Sequence, residues 1–417
     1  MNDTTSAILT EATAAAYVAA AGFRVGPVGR VGVELEYCVR DLSKPMHRPE
    51  PERLLGLLAH LGNPLPGGSG VTIEPGGQLE LSSAVGASMA DCVAALARDL
   101  ALVRAVLANH GMVLDGTGLD DVRAPLLVTE HPRYVALAEY HDRSGPKGLE
   151  VMCNSASIQV CLDAGSDDDT DWDGYKRRWW LADAIGPVVM AAFANSPHRS
   201  KSGRRWVSHR QGLRFGTDAS RTRAPRRDDD PRAAWSRYAL AAKVAMVAGP
   251  DRWHVPAGLT MRAWLRGHGP RPVTLEDLER HLGTLVPPVR PRGYLELRMI
   301  DQQPGDGWVV PVAVVTALLD DPQGAEVAAA ATEPLRSPLR RHRDWVGAAR
   351  EGLADPALAA AALQCFTVAG EVLRRQGAPL TVRDAVAEFT DRYVARGSCP
   401  AEDRREQRRK VRVGAGG

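Results

Sequence analysis

The chain has 417 residues, enough for one large domain or two of average size, and its hydrophobic fraction of 44% is that of a globular protein. A net charge of +2 provides no strong field that would favour nucleic acid or a membrane surface as a partner. The six cysteines include no Cys-x-x-Cys pair, which argues against a zinc site or a disulfide frame and indicates a reducing compartment. We therefore expect a cytoplasmic protein that binds neither nucleic acid nor membranes.

The chain opens with an alanine-rich segment at residues 4–21 that contains Glu11. It lacks the positive start and the small-residue cleavage pattern of a signal peptide, so we expect an amphipathic helix there. Helical and strand-like segments then alternate over the first 300 residues. Further helices are predicted at residues 51–61, 88–109, 172–194 and 233–247, and a capped helix start at Thr274.

Past Pro304 only helical periodicity is found, up to residue 397. Residues 404–412 then carry six basic side chains against one acidic side chain, which is typical of a disordered end. We therefore predict three parts. They are a core of residues 1–304, a helical portion of residues 305–400 packed on it, and a basic disordered tail of residues 401–417.

The first strand-like segment, residues 31–37, carries two glutamates two positions apart. Because side chains alternate along a strand with a period of two, Glu34 and Glu36 share one face and the apolar residues around them share the other. Buried like charges repel unless a cation lies between them, and a divalent ion such as Mg²⁺ prefers carboxylate oxygens. A lone Glu-x-Glu pair is more often part of a solvated surface, so this pair alone is a modest signal.

Three further segments repeat this division into an apolar and a polar face. They are residues 72–82, 153–161 and 294–299, with polar positions at Gln78, Glu80, Ser82, Ser155, Ser157, Gln159, Glu296 and Arg298. A solvated sheet face would explain the alternation, but exposed strands usually carry long basic side chains instead of this Glu, Gln and Ser set. The segments predict an α+β fold in which one antiparallel or mixed sheet packs on helices and forms the floor of a polar cavity.

The motifs in these strands resemble those of a known family. Residues 32–36 (GVELE), 74–82 (EPGGQLELS) and 289–298 (VRPRGYLELR) are similar to the glutamate–cysteine ligase family, above all to its actinobacterial branch that feeds ergothioneine synthesis. The resemblance covers about residues 28–320. It implies the carboxylate–amine ligase fold shared with glutamine synthetase, in which an antiparallel sheet lies under an active-site funnel that holds ATP and divalent metal ions.

The resemblance also implies the reaction. A carboxylate is a poor electrophile, so ATP would phosphorylate the γ-carboxylate of glutamate, and the amine of cysteine would then displace phosphate to give γ-glutamylcysteine. The reacting groups are anionic, so metal ions and arginines have to neutralise charge while the reactants are held in line. ATP and Mg²⁺, with Mn²⁺ as an alternative, are the implied cofactors. Glutamate and cysteine are the implied partners of a monomer or dimer.

Positions within the matched motifs imply a role for each site residue. The implied metal ligands are Glu34, Glu36, Glu74, Glu80 and Glu296. Arg298, on the same face as the catalytic Glu296, would reach the transferring phosphate, because bidentate arginine contacts suit that role better than lysine. The implied substrate- or ATP-binding residues are Gln78, Ser157, Gln159, Arg210, Asp218, Arg221 and Arg290. Arg290 lies in a proline-rich turn and is equally suited to capping a neighbouring helix.

Residues 208–221 resemble the loop that closes the site in the family. Arg210, Asp218 and Arg221 match family positions in this loop, whereas Arg214 stands where an aromatic residue is expected. This departure leaves the local shape of the pocket open.

Four other functions fit parts of the pattern. A sibling ligase that joins glutamate to a different amine would differ only in its acceptor pocket. A phosphotransferase of the guanidino-kinase type would share the sheet and metals but needs no second acceptor, and the motif of residues 74–82 argues against it. A non-catalytic relative should lose metal ligands, yet all five glutamates are present. A glycosidase would usually offer aromatic sugar platforms, and the aromatic content is only 5%.

Overall fold

A computed structural model describes residues 9–143, 145–168, 170–200, 203, 205–335 and 341–406. Nine strands lie within these residues. Their bounds are β1 Val31–Asp41, β2 Gly70–Ile73, β3 Leu79–Ser82, β4 Met112–Asp115, β5 Ser157–Asp163, β6 His198–Arg199, β7 Arg205–Trp206, β8 Val289–Pro291 and β9 Tyr294–Asp301.

Helices surround the strands and make up most of the C-terminal part of the chain. Their bounds are α1 Glu11–Gly22, α2 Pro51–Leu58, α3 Met89–Asn109, α4 Pro132–Asp142, α5 Lys147–Asn154, α6 Tyr175–Ala192, α7 His209–Phe215, α8 Ala219–Thr222, α9 Pro231–Ala241, α10 Met261–Ala263, α11 Leu275–Leu282, α12 Val309–Leu319, α13 Pro322–Thr332, α14 Arg341–Glu351, α15 Pro356–Arg375 and α16 Leu380–Arg392. Capping boxes begin α1 at Thr10 and α11 at Thr274, which confirms the predicted start of the latter helix.

Six strands form the main sheet in the order β2-β3-β1-β5-β9-β8, and β4 pairs with the end of β1. Every pair in this sheet is antiparallel. The prediction of an antiparallel sheet is therefore confirmed. The long strand β1 lies between β3 and β5, so the polar side chains of three neighbouring strands face one another across it.

The apolar face of the sheet packs on α3, α6 and α12. Val33, Leu35 and Ile158 point into this core, and none of them is more than 2% exposed. The C-terminal helices continue the same core, since α15 packs on both α6 and α12 and the ring of Phe366 lies 5.7 Å from that of Phe193. The helical C-terminal portion therefore lies on the apolar side of the sheet and leaves the polar face open.

Among the helices of the described residues, α15 is long and apolar enough to cross a membrane. Half of its most apolar stretch is buried inside the protein, as expected for the core helix of a folded domain.

The predicted strand at residues 153–161 begins later than expected, at Ser157. Residues 147–154 form α5, so Cys153 is a buried helical residue, and the Ser155 hydroxyl donates to the carbonyl of Val151 at 2.6 Å. Long-range packing explains the difference. The turn before β3 rests on the end of α5, and a Cβ on Gly76 would lie only 2.0 Å from the Cys153 carbonyl oxygen.

Two other boundaries also differ from the prediction. The helix expected at residues 233–247 is α9, which ends at Ala241 because Lys243 and Val247 form antiparallel bridges with Thr260 and His254. Residues 400–406 are helical, and Arg405 donates to the Trp206 carbonyl at 2.7 Å. The predicted disorder of residues 401–406 is therefore wrong. Residues 407–417 of that predicted tail lie outside the described residues.

Candidate active site

Four of the five predicted metal ligands meet at the β1–β3 side of the polar face. The strand register sets Glu36 of β1 directly opposite Glu80 of β3, and Glu34 lies two residues earlier on the same face. Glu74 precedes the turn into β3, where Gly77 takes a φ of +83°, and its strongest charged neighbours are Glu36 and Glu80. The structure therefore brings these four carboxylates together, as the sequence predicted.

Three of these carboxylates, those of Glu34, Glu74 and Glu80, have pKa values above the ordinary value. Burial, followed by repulsion from Glu36 and Glu80, raises the pKa of Glu74 to about 8. Burial, followed by repulsion from Glu296 and Glu80, raises the pKa of Glu34 to about 7. The pKa of Glu80 is raised by the same two causes, burial first. A bound cation would remove this cost, so the cluster has the electrostatics of a metal site.

Glu36 is fixed in place by the neighbouring strand β5. The main-chain N–H and the hydroxyl of Ser157 both donate to Glu36 Oε2 at 2.8 Å, and Gln159 Nε2 donates to Oε1 at 3.0 Å. Ser157 and Gln159 thus lie beside the predicted metal ligands and orient a carboxylate that metal ions would share. Their predicted contact with substrate or nucleotide stays a prediction.

Glu80 is held in a similar way by its own side of the sheet. The hydroxyl of Thr72 on β2 donates to Glu80 Oε1 at 3.0 Å, and the hydroxyl of Ser82 donates to the same oxygen at 3.2 Å. Both donors leave Oε2 available. These two hydrogen bonds therefore fix the orientation of the Glu80 carboxylate before any cation binds.

Glu296 on β9 differs from the other four because arginines compensate it. Arg290 donates to both of its oxygens, at 2.5 and 2.9 Å, and Arg298 Nη1 lies 2.9 Å from Oε2. Burial opposes ionisation, but Arg298 and Arg290 outweigh it and hold the pKa of Glu296 at about 2. A metal ion would have to share this carboxylate with two arginines, and its role as a ligand stays a prediction.

The same contacts limit the predicted roles of the two arginines. Arg290 also donates to the Leu285 carbonyl at 3.0 Å, so its side chain joins two parts of the β8 region and is not a helix cap. Arg298 Nη1 donates to Gln159, which links β9 to the Glu36 side of the site. Burial opposes the charge of Arg298, but the carboxylates of Glu296, Glu34 and Glu36 outweigh burial and raise its pKa, so the group stays cationic beside the carboxylate cluster.

Cys161 is a site residue that the sequence indicated only weakly. It lies directly opposite Glu296 in the β5–β9 register, and ligand atoms of Glu34, Cys161 and Glu296 all lie within 4.8 Å of one another. Its position two residues after Gln159 was the available signal, since it shares that face of the strand. A thiol is a poor ligand for Mg²⁺, so the all-oxygen group of glutamates suits such an ion better.

Arg210 does not point freely into the cavity. Its Nε donates to Asp301 at 2.7 Å and its Nη2 to the Arg298 carbonyl at 3.2 Å. Asp301 also accepts bonds from Ser196 and Ser208, at 2.7 and 3.0 Å. This buried Asp301, at the end of β9, is a residue that sequence reasoning missed, and it anchors α7 beside the catalytic strand.

Asp218 and Arg221 form a buried ion pair. Arg221 donates to Asp218 at 3.1 Å, to the Thr284 hydroxyl at 2.9 Å and to the Lys243 carbonyl at 2.5 Å. The Tyr140 hydroxyl donates to Asp218, and the Arg221 guanidinium lies 4.6 Å from the centre of the Tyr140 ring. These contacts hold the loop after α7 together, while the predicted substrate contacts stay predictions.

Gln78 lies just before β3 and binds main chain. Its Nε2 donates to the Ser155 carbonyl at 2.8 Å, which fixes the turn of residues 74–78 against the end of α5. Through this contact Gln78 positions Glu74. A direct contact with substrate stays a prediction.

A cavity of about 320 Å³ opens at the Glu34 end of the polar face. Its lining includes Arg24, Arg30, Arg292 and Tyr294, so it offers cations and a ring close to the predicted metal ligands. A larger cavity of about 1170 Å³ lies between residues 120–125 and the C-terminal helix, and none of the five glutamates lines it. The smaller cavity is therefore the one that lies beside the predicted metal ligands.

Comparisons with solved structures support the architecture. The fold is similar to that of a glutamate–cysteine ligase (gshA) from Francisella tularensis in complex with AMP, with a TM-score of 0.53. The two chains are 13% identical, and the match covers 93% of this chain and 86% of that one. At this identity the likeness shows a shared fold.

Sequence relatives are closer. The chain is 39% identical to the glutamate–cysteine ligase EgtA of Mycolicibacterium smegmatis, with 93% of each chain covered. It is 38% identical to EgtA of Mycobacterium tuberculosis, over 95% of this chain and 90% of that one. The family model of glutamate–cysteine ligase family 2 matches residues 30–415. The chain therefore belongs to glutamate–cysteine ligase family 2.

Proposed function

We propose that this protein joins the γ-carboxylate of glutamate to the amine of cysteine at the expense of ATP. The observation that carries the proposal is the group of four half-buried carboxylates near the cation of Arg298, of which Glu34, Glu74 and Glu80 have raised pKa values. Such a group is costly in an empty site and becomes favourable when divalent cations and anionic phosphates bind together. The ligase relatives support the same reaction.

Glu34, Glu36, Glu74 and Glu80 would hold Mg²⁺, or Mn²⁺ in its place. Their oxygen-only donors fit a hard cation, and Ser157, Gln159 and Thr72 already orient two of them. The ions would neutralise charge on the phosphates of ATP.

The reaction proceeds in two displacements. A γ-carboxylate oxygen of glutamate attacks the γ-phosphorus of ATP, and the bond from that phosphorus to ADP breaks. The amine of cysteine then attacks the acyl carbon, the bond to phosphate breaks, and the amine loses a proton. Arg298, held by Glu296 and Gln159, stabilises the charge on the transferring phosphoryl group.

The test is phosphate release from ATP and Mg²⁺ by purified protein, with glutamate and with or without cysteine. We expect release that requires cysteine and Mg²⁺, and a γ-glutamylcysteine product identified by mass. Glu36→Gln keeps the size of the side chain and removes its charge, and should lower kcat/KM by about a thousandfold or more, since it removes a group that acts on the metal ions. The matched control is Glu371→Gln on the exposed surface of α15.

Each outcome decides between candidates. Release that needs glutamate but ignores cysteine would retain acyl-phosphate chemistry and point to another amine as acceptor. No turnover with any substrate or metal ion would contradict the ligase proposal and favour a non-catalytic relative.

We further propose that the enzyme works in the cytoplasm on small molecules alone. The actinobacterial resemblance and the EgtA name of its relatives support ergothioneine synthesis as the thiol pathway that uses its product.

A further inference from the structure

Arg214 lies one helical turn after Arg210 on α7, at the position where an aromatic residue was expected. Its side chain is buried, with 8% of its surface exposed. Within the described residues its guanidinium forms no ion pair or hydrogen bond, and its Nε is buried without an acceptor. Burying an unpaired cation is costly, so this position calls for an anion that the described part of the chain does not supply.

The surroundings of Arg214 belong to the active site. The charges that act on it most strongly are those of Arg298 and Arg210, followed by Glu36 and Arg290. Arg210 is paired with Asp301, and both other arginines are paired with Glu296. Of these four guanidinium groups, Arg214 is therefore the one without a carboxylate among the described residues.

Burial, followed by the charges of Arg298 and Arg210, lowers the pKa of Arg214 well below its usual value. An arginine nevertheless stays protonated in proteins, so the strain is relieved by an incoming anion and not by proton loss. A carboxylate suits the guanidinium best, because the two planar groups form paired hydrogen bonds.

Two further polar atoms with spare bonding capacity come from other helices. Tyr238 Oη on α9 and His141 Nδ1 on α4 are buried, and neither has a hydrogen-bond partner in the described chain. The charge of Arg214 acts on both side chains, so all three lie within electrostatic reach of one another. Three helices therefore contribute buried polar atoms without hydrogen-bond partners among the described residues, and the charge of Arg214 acts on the other two side chains.

The position along the sheet separates this group from the arginine-lined cavity. That cavity lies at the Glu34 end, where Arg24, Arg30 and Arg292 are cations of a kind that phosphates can bind. The charge of Glu36, which lies two residues after Glu34 on β1, acts on Arg214. Arg214 does not line that cavity, so an anion bound at Arg214 would occupy a different part of the site, and the carboxylates of the amino-acid substrates are the remaining anions of the proposed reaction.

We propose that Arg214 binds a carboxylate of an amino-acid substrate and is a specificity-determining residue of this enzyme. The proposal rests on the proposed ligase function for its substrates. The carboxylate is the α-carboxylate of glutamate or that of cysteine, and both have the same chemistry. Commercial analogues distinguish them, because 4-aminobutyrate is glutamate without its α-carboxylate and cysteamine is cysteine without its carboxylate.

The experiment compares wild type with Arg214→Met, which keeps the length of the side chain and removes its charge. For each protein, kcat/KM is measured with glutamate against 4-aminobutyrate and with cysteine against cysteamine. We expect one of the two preference ratios to fall by about 10- to 100-fold, the value of a hydrogen bond to a charged group. Loss of the glutamate preference assigns the donor carboxylate, and loss of the cysteine preference assigns the acceptor carboxylate. Both ratios unchanged, including the case in which only the KM for ATP rises, would overturn the proposal.

Calorimetry keeps this test separate from the ligase proposal. Binding of the same four compounds is measured with Mg²⁺ and a non-hydrolysable ATP analogue, so no turnover is needed. If wild type fails to turn over yet Arg214→Met selectively weakens binding of an intact amino acid, the ligase function fails and the carboxylate site stands. If neither intact amino acid binds more tightly than its decarboxylated analogue, the carboxylate site is overturned.

Thermal unfolding of the substrate-free protein excludes a merely structural role. Removing a buried, unpaired cation should leave Tm unchanged or raise it. A lower Tm together with unchanged preference ratios would show that Arg214 serves stability alone. Arg214→Lys, which keeps the charge but loses the paired hydrogen bonds, should give an intermediate ratio. The surface variant Arg374→Met on α15 is the matched control.

Discussion

The two sides of the polar sheet face treat their carboxylates in opposite ways. On the β1–β3 side, Glu34, Glu74 and Glu80 crowd together with Glu36, and within the described residues none of the four forms an ion pair, although the charge of Arg298 acts on three of them. On the β9 side, Glu296 is fully buried but is compensated by Arg290 and Arg298. The carboxylates of the first side lack ion-pair partners among the described residues, whereas the carboxylate of the second side has two. The comparison teaches that the same residue type serves as an open ligand set and as a structural counter-ion within one sheet.

The largest expected effect separates the two sides by stability. Glu296→Gln should destabilise the metal-free protein by about 3–5 kcal/mol, because it leaves two buried arginines without their counter-ion. Glu74→Gln should leave stability unchanged or raise it, because it removes a carboxylate that burial and Glu36 already disfavour. Urea unfolding with a metal chelator present measures both free energies.

The surface variant Glu371→Gln provides the baseline for that pair. Equal destabilisation by Glu296→Gln and Glu74→Gln would remove the distinction between the two sides.

An intermediate effect is expected in the pH dependence of the metal-free protein. The folded pKa values of Glu34 and Glu74, about 7 and about 8, lie above the unfolded value of 4.5. The folded state therefore binds more protons between these values, and stability should fall as pH rises from 4.5 to about 8. The folded pKa of Glu296, about 2, lies below 4.5, so its contribution is present above pH 4.5 and lost as pH falls towards 2.

Thermal unfolding from pH 2 to pH 8, with and without Mg²⁺, measures the stability change at both the acid and the neutral end. Mg²⁺ should stabilise most at the upper end, where the ion no longer competes with protons. Glu74→Gln should reduce the loss of stability between pH 4.5 and about 8, and it should leave the loss of stability towards pH 2 unchanged. If stability still falls as steeply between pH 4.5 and about 8 in this variant, Glu74 is not the group that titrates there.

The smallest expected effect concerns the orientation of Glu36. Ser157→Ala removes the hydroxyl that donates to Glu36 Oε2 but leaves the main-chain bond and the bond from Gln159. One hydrogen bond of this kind contributes about 1 kcal/mol, so kcat/KM should fall about fivefold. Steady-state kinetics measure the change, and Ser200→Ala, outside the site, is the control. A loss as large as that of Glu36→Gln would show that the Ser157 hydroxyl acts directly on substrate.

Several features of the fold followed from local pattern. The alternation of polar and apolar residues predicted that the polar side chains of β1, β3 and β9 share one face of the sheet. The helical spacing of apolar residues predicted the helices of the C-terminal part. The start of β5 was missed, because the helix at residues 147–154 is fixed by the close contact of Gly76 with Cys153. The end of α9 was missed because bridges from Lys243 and Val247 to a later segment stop the helix. Both errors arise where distant segments meet.

The sequence by itself determined which side chains of this protein share the polar face of the sheet. The period of two along each strand is a local property, so the glutamates and Arg298 had to share the polar faces of their strands. Only the tertiary structure decided which charges compensate one another. Strand register set Arg290 against Glu296, packing of α7 committed Arg210 to Asp301, and burial left Arg214 without a counter-ion among the described residues. Charge pairing depends on distance in space, and a strand pattern carries no record of that distance.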